Sequence, residues 1–149
     1  MAAQQGHDAA QYNLGVMYAD GQGVARNYRE AATWYLKAAE QGYVKAQQNL
    51  GNMYYRGQGV TQNFEEAVLW YGKAAEQGDV LAQYSLGVMY GNGVGVSKNK
   101  VLSHMWSNIA AAKGYVEAAR NRKIMEKAMT QAQISKAQKM AREWMAKHQ

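Results

Sequence analysis

The segment 42–77, GYVKAQQNLGNMYYRGQGVTQNFEEAVLWYGKAAEQ, repeats the segment before it. Moved back 36 positions it falls on 6–41, and 22 of the 36 residues are identical, among them Ala10/Ala46, Leu14/Leu50, Gly15/Gly51, Tyr18/Tyr54, Gly21/Gly57, Trp34/Trp70 and Tyr35/Tyr71. Moved forward by the same step it meets a looser copy at 78–113. A fixed period of this length signals stacked supersecondary units. Such units bury their apolar faces only against one another. The chain is therefore expected to be a single solenoid over 1–149, with repeats at 6–41, 42–77 and 78–113. A partial repeat and a C-terminal cap fill 114–149.

Each repeat holds two helical patterns. In the first, Ala10, Leu14, Met17 and Tyr18 share one face, and the face recurs as Ala46, Leu50, Met53, Tyr54 and as Ala82, Leu86, Met89, Tyr90. Gly15, Gly51 and Gly87 lie beside it, which points to a close helix–helix approach, because a mid-helix glycine otherwise costs about 1 kcal/mol. GQGV at 21–24 and 57–60 and GVGV at 93–96 close these helices. Asn27-x-x-Glu30 and Asn63-x-x-Glu66 read as capping boxes opening the second helix, whereas Asn99 lacks the partner because residue 102 is Leu. The second helix buries Ala31, Trp34, Tyr35, Ala38 and Ala39, or Ala67, Trp70, Tyr71, Ala74 and Ala75.

The third repeat drifts. Ser107 replaces tyrosine, and Val101, Met105 and Ile109 make the outer face apolar, which predicts a new neighbour from the C-terminal segment. Residues 114–128 begin as a fourth first helix with Ala118 in register, but Arg122 stands where leucine belongs. Thr130-x-x-Gln133 then caps a last helix with Ile134, Ala137, Ala141, Trp144 and Met145 on one face and a Lys- and Gln-rich opposite face.

Cysteine is absent, so disulfide frameworks and cysteine-based zinc sites are excluded. No apolar run reaches the length of a membrane-spanning helix. The net charge of +6 sits at the C-terminal end. Residues 1–114 carry 9 Lys and Arg against 8 Asp and Glu, and residues 115–149 carry 8 against 3. Such a basic tail binds nucleic acid only weakly and non-specifically, or is a solvated helix surface. The opening MAAQQG matches KAAEQG at 37–42 and 73–78. That places the start of the chain in the last turn of a helix, with any leader missing. Localisation is left open between cytoplasmic and periplasmic or secreted. An uncapped N-terminal end offers an apolar surface for self-association.

Period, residues and order together resemble the Sel1-like repeat family, a bacterial-type relative of the tetratricopeptide repeat. The carrying residues read A-x-x-x-L-G-x-x-Y-x-x-G-x-G-V followed by E-A-x-x-W-Y-x-K-A-A-E-Q-G, at 46–60 and 66–78 and again at 10–24 and 30–42. The family usually has proline after G-x-G-V, whereas this chain has Ala25, Thr61 and Ser97. The resemblance implies an all-α, right-handed α/α superhelix that binds proteins as an adaptor, scaffold or inhibitor, without catalysis or cofactor.

Signals of chemistry are sparse. His7, His104 and His148 have no metal-ligand spacing. Ser97-x-x-Lys100 matches the S-x-x-K of penicillin-recognising enzymes, but S-D-N and K-T-G are absent. It carries the alternative reading, an envelope-associated, peptidoglycan-related protein of low activity. No catalytic or metal residue is assigned. The resemblance puts the first helices on a concave groove. Opposite their packed stripe lie Tyr12, Val16, Gln48, Asn52, Tyr55, Tyr84 and Val88, which vary from repeat to repeat. They are the expected contacts for a protein or peptide partner, since interface energy concentrates in aromatic anchors.

Overall fold

The computed structural model describes residues 2–3 and 6–149. These form eight α-helices: α1 (Asp8–Asp20), α2 (Tyr28–Glu40), α3 (Val44–Arg56), α4 (Phe64–Glu76), α5 (Val80–Asn92), α6 (Lys100–Ala112), α7 (Val116–Lys127) and α8 (Gln131–Lys147). They fall into two compact units, 1–77 and 78–149.

The turns follow from glycine. Gly21, Gly57 and Gly93 take φ near +70° at the ends of α1, α3 and α5, and each donates its amide to a methionine carbonyl one turn back. Asn27, Asn63 and Asn99 then cap α2, α4 and α6 by accepting from the amides of Glu30, Glu66 and Leu102 at 3.0–3.1 Å. Here the expected capping boxes are half right. The asparagine amides donate to the carbonyls of Tyr18, Tyr54 and Tyr90, so the backbone donor that Glu30 or Glu66 would take is already occupied. Asn99 therefore caps as well as the other two, with leucine three residues on. Among the described residues only Thr130 and Gln133 form the reciprocal pair.

In the first unit α1 pairs with α2 and α3 with α4, while α2 packs on α3. Ala31, Ala38, Ala46, Leu50 and Met53 close the core together with Tyr35 and Trp70. Burying a leucine such as Leu50 stabilises the fold by about 1.5–3 kcal/mol. Gly51 explains its own place in the pattern. A Cβ there would stand 2.7 Å from the Tyr71 ring, and one at Gly15 would stand equally close to Tyr35. α1 departs from the expected pattern, for Leu14 is half-buried and Met17 exposed where Leu50 and Met53 are buried. α2 is the helix that packs extensively on α1 among the described residues.

A row of glutamines joins the repeats of this unit. Buried Gln47 donates through Nε2 to the Ala39 carbonyl at the end of α2, and its Oε1 accepts from Gln77 at 2.8 Å. One repeat earlier Gln11 donates to Ala3 and accepts from Gln41 at 2.7 Å. Ala3 thus stands where Ala39 stands. Met1, Gln4 and Gln5 of the MAAQQG match lie outside the described residues.

In the second unit α5 pairs with α6, and α6 also carries α7 and α8. The apolar outer face of α6 has its new neighbour: Met105 and Ile109 are buried, and Trp106 meets Trp144 of α8 edge-on, with centroids 5.7 Å apart. Ala137 and Ala141 of α8 are fully buried, while Ile134, Trp144 and Met145 are half-buried. The inner face of α6 is polar. Ser103 Oγ donates to the Gly87 carbonyl at 2.6 Å, and Asn121 of α7 donates to Ser103 Oγ at 3.3 Å and to Ser107 Oγ at 2.7 Å. His104, fully buried, bonds through Nε2 to Glu126 at 2.9 Å.

Candidate interaction site

The seven residues expected to meet a partner all lie on first helices. In the first unit the Tyr12 ring rests against Tyr35 and against Tyr43, with centroids 5.7 and 5.1 Å apart. Val16 is half-buried on the core. Asn52 accepts a hydrogen bond from the Tyr71 hydroxyl. Gln48 is half-buried, and Tyr55 is 41% exposed, meeting Phe64 edge-on at 5.2 Å. In the second unit Tyr84 meets Tyr115 edge-on at 5.0 Å, and Val88 is half-buried.

The set thus divides. Tyr12 and Tyr84 each hold a ring contact with the tyrosine that starts the next first helix. They are packing residues with one accessible side. Tyr55 is the open aromatic. Burial raises the Tyr35 hydroxyl to about 12, helped by Tyr12 and Asp20 and opposed by Asn49. Tyr115 is raised by burial, then by Glu117 and Tyr84. Both therefore stay protonated and uncharged at neutral pH.

Extending the register by one more period finds residues that the sequence reading did not place on this face. Arg120 stands at the Tyr84 position, Ile124 at the Val88 position and Lys127 at the Gly91 position. All three are exposed on α7. The signal was present in the 36-residue step, but the basic residues there read as part of a solvated tail. An open cleft of about 730 Å³ lies elsewhere, lined by Asn27, Arg29, Gly57, Gly59, Val60 and Thr61, and none of the seven residues lines it.

The chemical alternatives gain no support. Ser97 is exposed in the turn before α6, and the Lys100 ammonium donates to the Ala128 carbonyl at 3.0 Å. His104 is sealed beside Glu126, and the His148 ring stacks on Trp144 at 3.9 Å. Among the described residues no group of three or more His, Asp or Glu could hold a metal. No described helix is long and apolar enough to cross a membrane.

The sequence matches the Sel1 repeat three times, over 8–43, 44–79 and 80–115. A comparison with curated protein sequences returned no match. Among solved structures, a Sel1 repeat protein from Oxalobacter formigenes is 42% identical with a TM-score of 0.77, over 80% of this chain and 49% of that one. A protective antigen present in uropathogenic Escherichia coli strains, displaying an SLR fold, is 44% identical with a TM-score of 0.77, over 78% of this chain and 25% of that one. The chain therefore spans about half of the first relative's length and a quarter of the second's. Repeats of this kind generally form non-catalytic scaffolds for protein–protein interaction. Three tandem matches, the all-α architecture and these two neighbours lead to one conclusion: the chain belongs to the Sel1 repeat family.

Proposed function

We propose that the chain is a protein-binding module without catalytic activity. The first helices of each unit hold a partner protein or peptide, through Tyr12, Val16, Gln48, Asn52 and Tyr55 in the first unit and through Tyr84 and Val88 in the second. One observation carries the reading. At fixed spacing, buried Leu50 and Leu86 and the buried glycines repeat, while the accessible positions beside them change identity from repeat to repeat. Packing holds the first set constant and leaves the second free to specialise. Tyr55 is the anchor most open to a partner, and tyrosine buries large area at low entropic cost.

The test is a cross-linking pull-down of the tagged chain from its native cell, followed by affinity measurements on Tyr55→Ala and on the Tyr12→Ala/Tyr84→Ala double variant. Loss of affinity by about tenfold or more with unchanged helicity is expected. Unchanged affinity in folded variants removes this face from the reading.

A second reading, self-association through α1, is favoured by Met17 at 36% exposure and by half-buried Leu14, since their counterparts Met53 and Leu50 are buried. Sedimentation velocity decides it. A concentration-dependent dimer that Met17→Glu abolishes supports it, and a monomer at every concentration ends it.

A further inference from the structure

α7 is a first helix without the usual second helix across it. Where α5 has Leu86 and Gly87 facing α6, α7 has Arg122 and exposed Lys123. A lysine in the glycine position bars the close approach that Gly51 allows Tyr71. Accordingly α8 lies on α6 instead. The inward polar groups of α7 are all engaged, with Asn121 on Ser107, Arg122 on Asn108 at 2.7 Å and Glu126 on His104. The outward face is different. Val116, Arg120, Lys123, Ile124 and Lys127 recur at helical spacing and fall within an arc of about 100°. All five are exposed, and Val116 and Ile124 are 57% exposed, more than any other large apolar residue described. The side chains of Arg120, Lys123 and Lys127 make no ion pair or hydrogen bond with any described residue.

We propose that this face of α7 docks an acidic, aliphatic segment of a partner protein, with glutamates or aspartates over the three cations and leucine-like side chains on Val116 and Ile124. The inference rests on the protein-binding reading above and names the partner's chemistry. Charge complementarity selects the partner's sign and speeds encounter, and the two aliphatic side chains supply the contact that excludes water. A lipid surface fits less well, because interfacial helices present a broad apolar face rich in Trp, Phe or Leu. Here two aliphatic residues stand among three cations. Nucleic acid fits less well too. Single strands stack their bases on aromatic side chains, α7 has none, and phosphates would leave Val116 and Ile124 without an apolar partner. α7 lies beside α5, which bears Tyr84 and Val88 at the positions equivalent to Arg120 and Ile124. The segment therefore has a continuation onto the expected contact residues of this unit.

The experiment is an amide-resolved NMR titration of the full chain with a synthetic peptide of about 18 residues, its Leu and Glu set on one helical face. A scrambled peptide of the same composition is the comparison. Shifts confined to α7 and the adjacent part of α5 are expected for the patterned peptide only, weakening at least about tenfold from 50 to about 300 mM salt. Lys123→Glu/Lys127→Glu is expected to weaken binding by about tenfold or more and Ile124→Ser several-fold, while Lys139→Glu on α8 leaves it unchanged. Equal binding of both peptides, or equal shifts of α8 amides, overturns the proposal. So does engagement of α7 by phosphatidylserine vesicles or duplex DNA without response to the peptide. A native partner from the cross-linking experiment that binds the α7 variants normally also overturns it, leaving the protein-binding reading intact. No protein partner at all removes both.

Discussion

At one repeat position the two units solve the same packing problem with opposite chemistry. The first unit places Tyr35 and Tyr71 against Gly15 and Gly51, ring on backbone. The second places Ser107 against Gly87, with the hydroxyl bonded by Asn121 and neighbouring Ser103 bonded to the Gly87 carbonyl. Exchanging a ring for a hydroxyl removes most of the apolar area at that point, and the second unit recovers burial elsewhere by laying α8 on α6. Charge divides the same way. Residues 1–77 carry 6 Lys and Arg against 7 Asp and Glu, and residues 78–149 carry 11 against 4. The comparison teaches that the period fixes helix spacing while leaving the filling free, provided each substitution brings its own partner.

The contrast can be broken at four points. The largest effect is expected at Ile109, buried on α6, against which α5, α7 and α8 all pack. Ile109→Ala is expected to cost about 3–5 kcal/mol in urea unfolding. A loss under about 1 kcal/mol would mean that α8 is not a structural part of its unit.

Next comes Gly51→Ala, expected to cost about 2–3 kcal/mol because the Tyr71 ring has no room to yield. Tyr71→Ser is itself destabilising, but Gly51→Ala should cost less in the Tyr71→Ser background than in the unaltered chain. An equal cost in both backgrounds would show that the ring is not the obstacle.

A smaller effect concerns the polar filling. Asn121→Ala leaves two buried hydroxyls short of a donor and is expected to cost about 1–3 kcal/mol. Asn121→Leu combined with Ser103→Ala and Ser107→Ala should cost less than Asn121→Ala alone, since no unpaired group then remains. If the triple variant is the worse of the two, the network has a role beyond satisfaction of its own members.

The smallest effect is in alkaline titration. An unfolded tyrosine ionises near 10, while folded Tyr35 holds its proton to about 12. The folded state thus binds the proton more tightly. Its contribution is complete below pH 10 and declines as pH rises towards 12. Tyr35→Phe should flatten that part of the stability profile, and an unchanged slope would assign it to other groups.

Much of this was legible in the sequence. The 36-residue step, the glycine turns and the asparagine caps are local signals, each set by backbone geometry within a few residues. Even the docking of α8 on α6 was foreshadowed by Val101, Met105 and Ile109, because a misplaced apolar face demands a cover. The half-formed capping boxes were not legible, since the competing acceptors, Tyr18 and Tyr54, lie nine residues upstream across a turn. Nor were the inter-repeat bonds of Gln11 and Gln47. Their identity across repeats was visible, yet glutamine on a helix ordinarily faces water, and only the packed neighbours show that these are buried. The split among the contact residues was hidden for the same reason: whether a tyrosine anchors a partner or its own fold depends on what stands one repeat away.

The glutamine row bears on how such a chain can change length. In the first unit each rung donates to a carbonyl that precedes its own repeat and accepts from the glutamine that ends it, whereas the third repeat ends in Lys113. Removal of 42–77 would bring Gln41 next to Gly78 and set Gln83 as many residues after Ala39 as Gln47 is now. Loss or gain of a whole repeat is thus chemically silent at the junction, whereas insertion of one residue turns a buried amide away from its carbonyl. In the first unit these hydrogen bonds therefore favour growth by whole steps over growth by fractions.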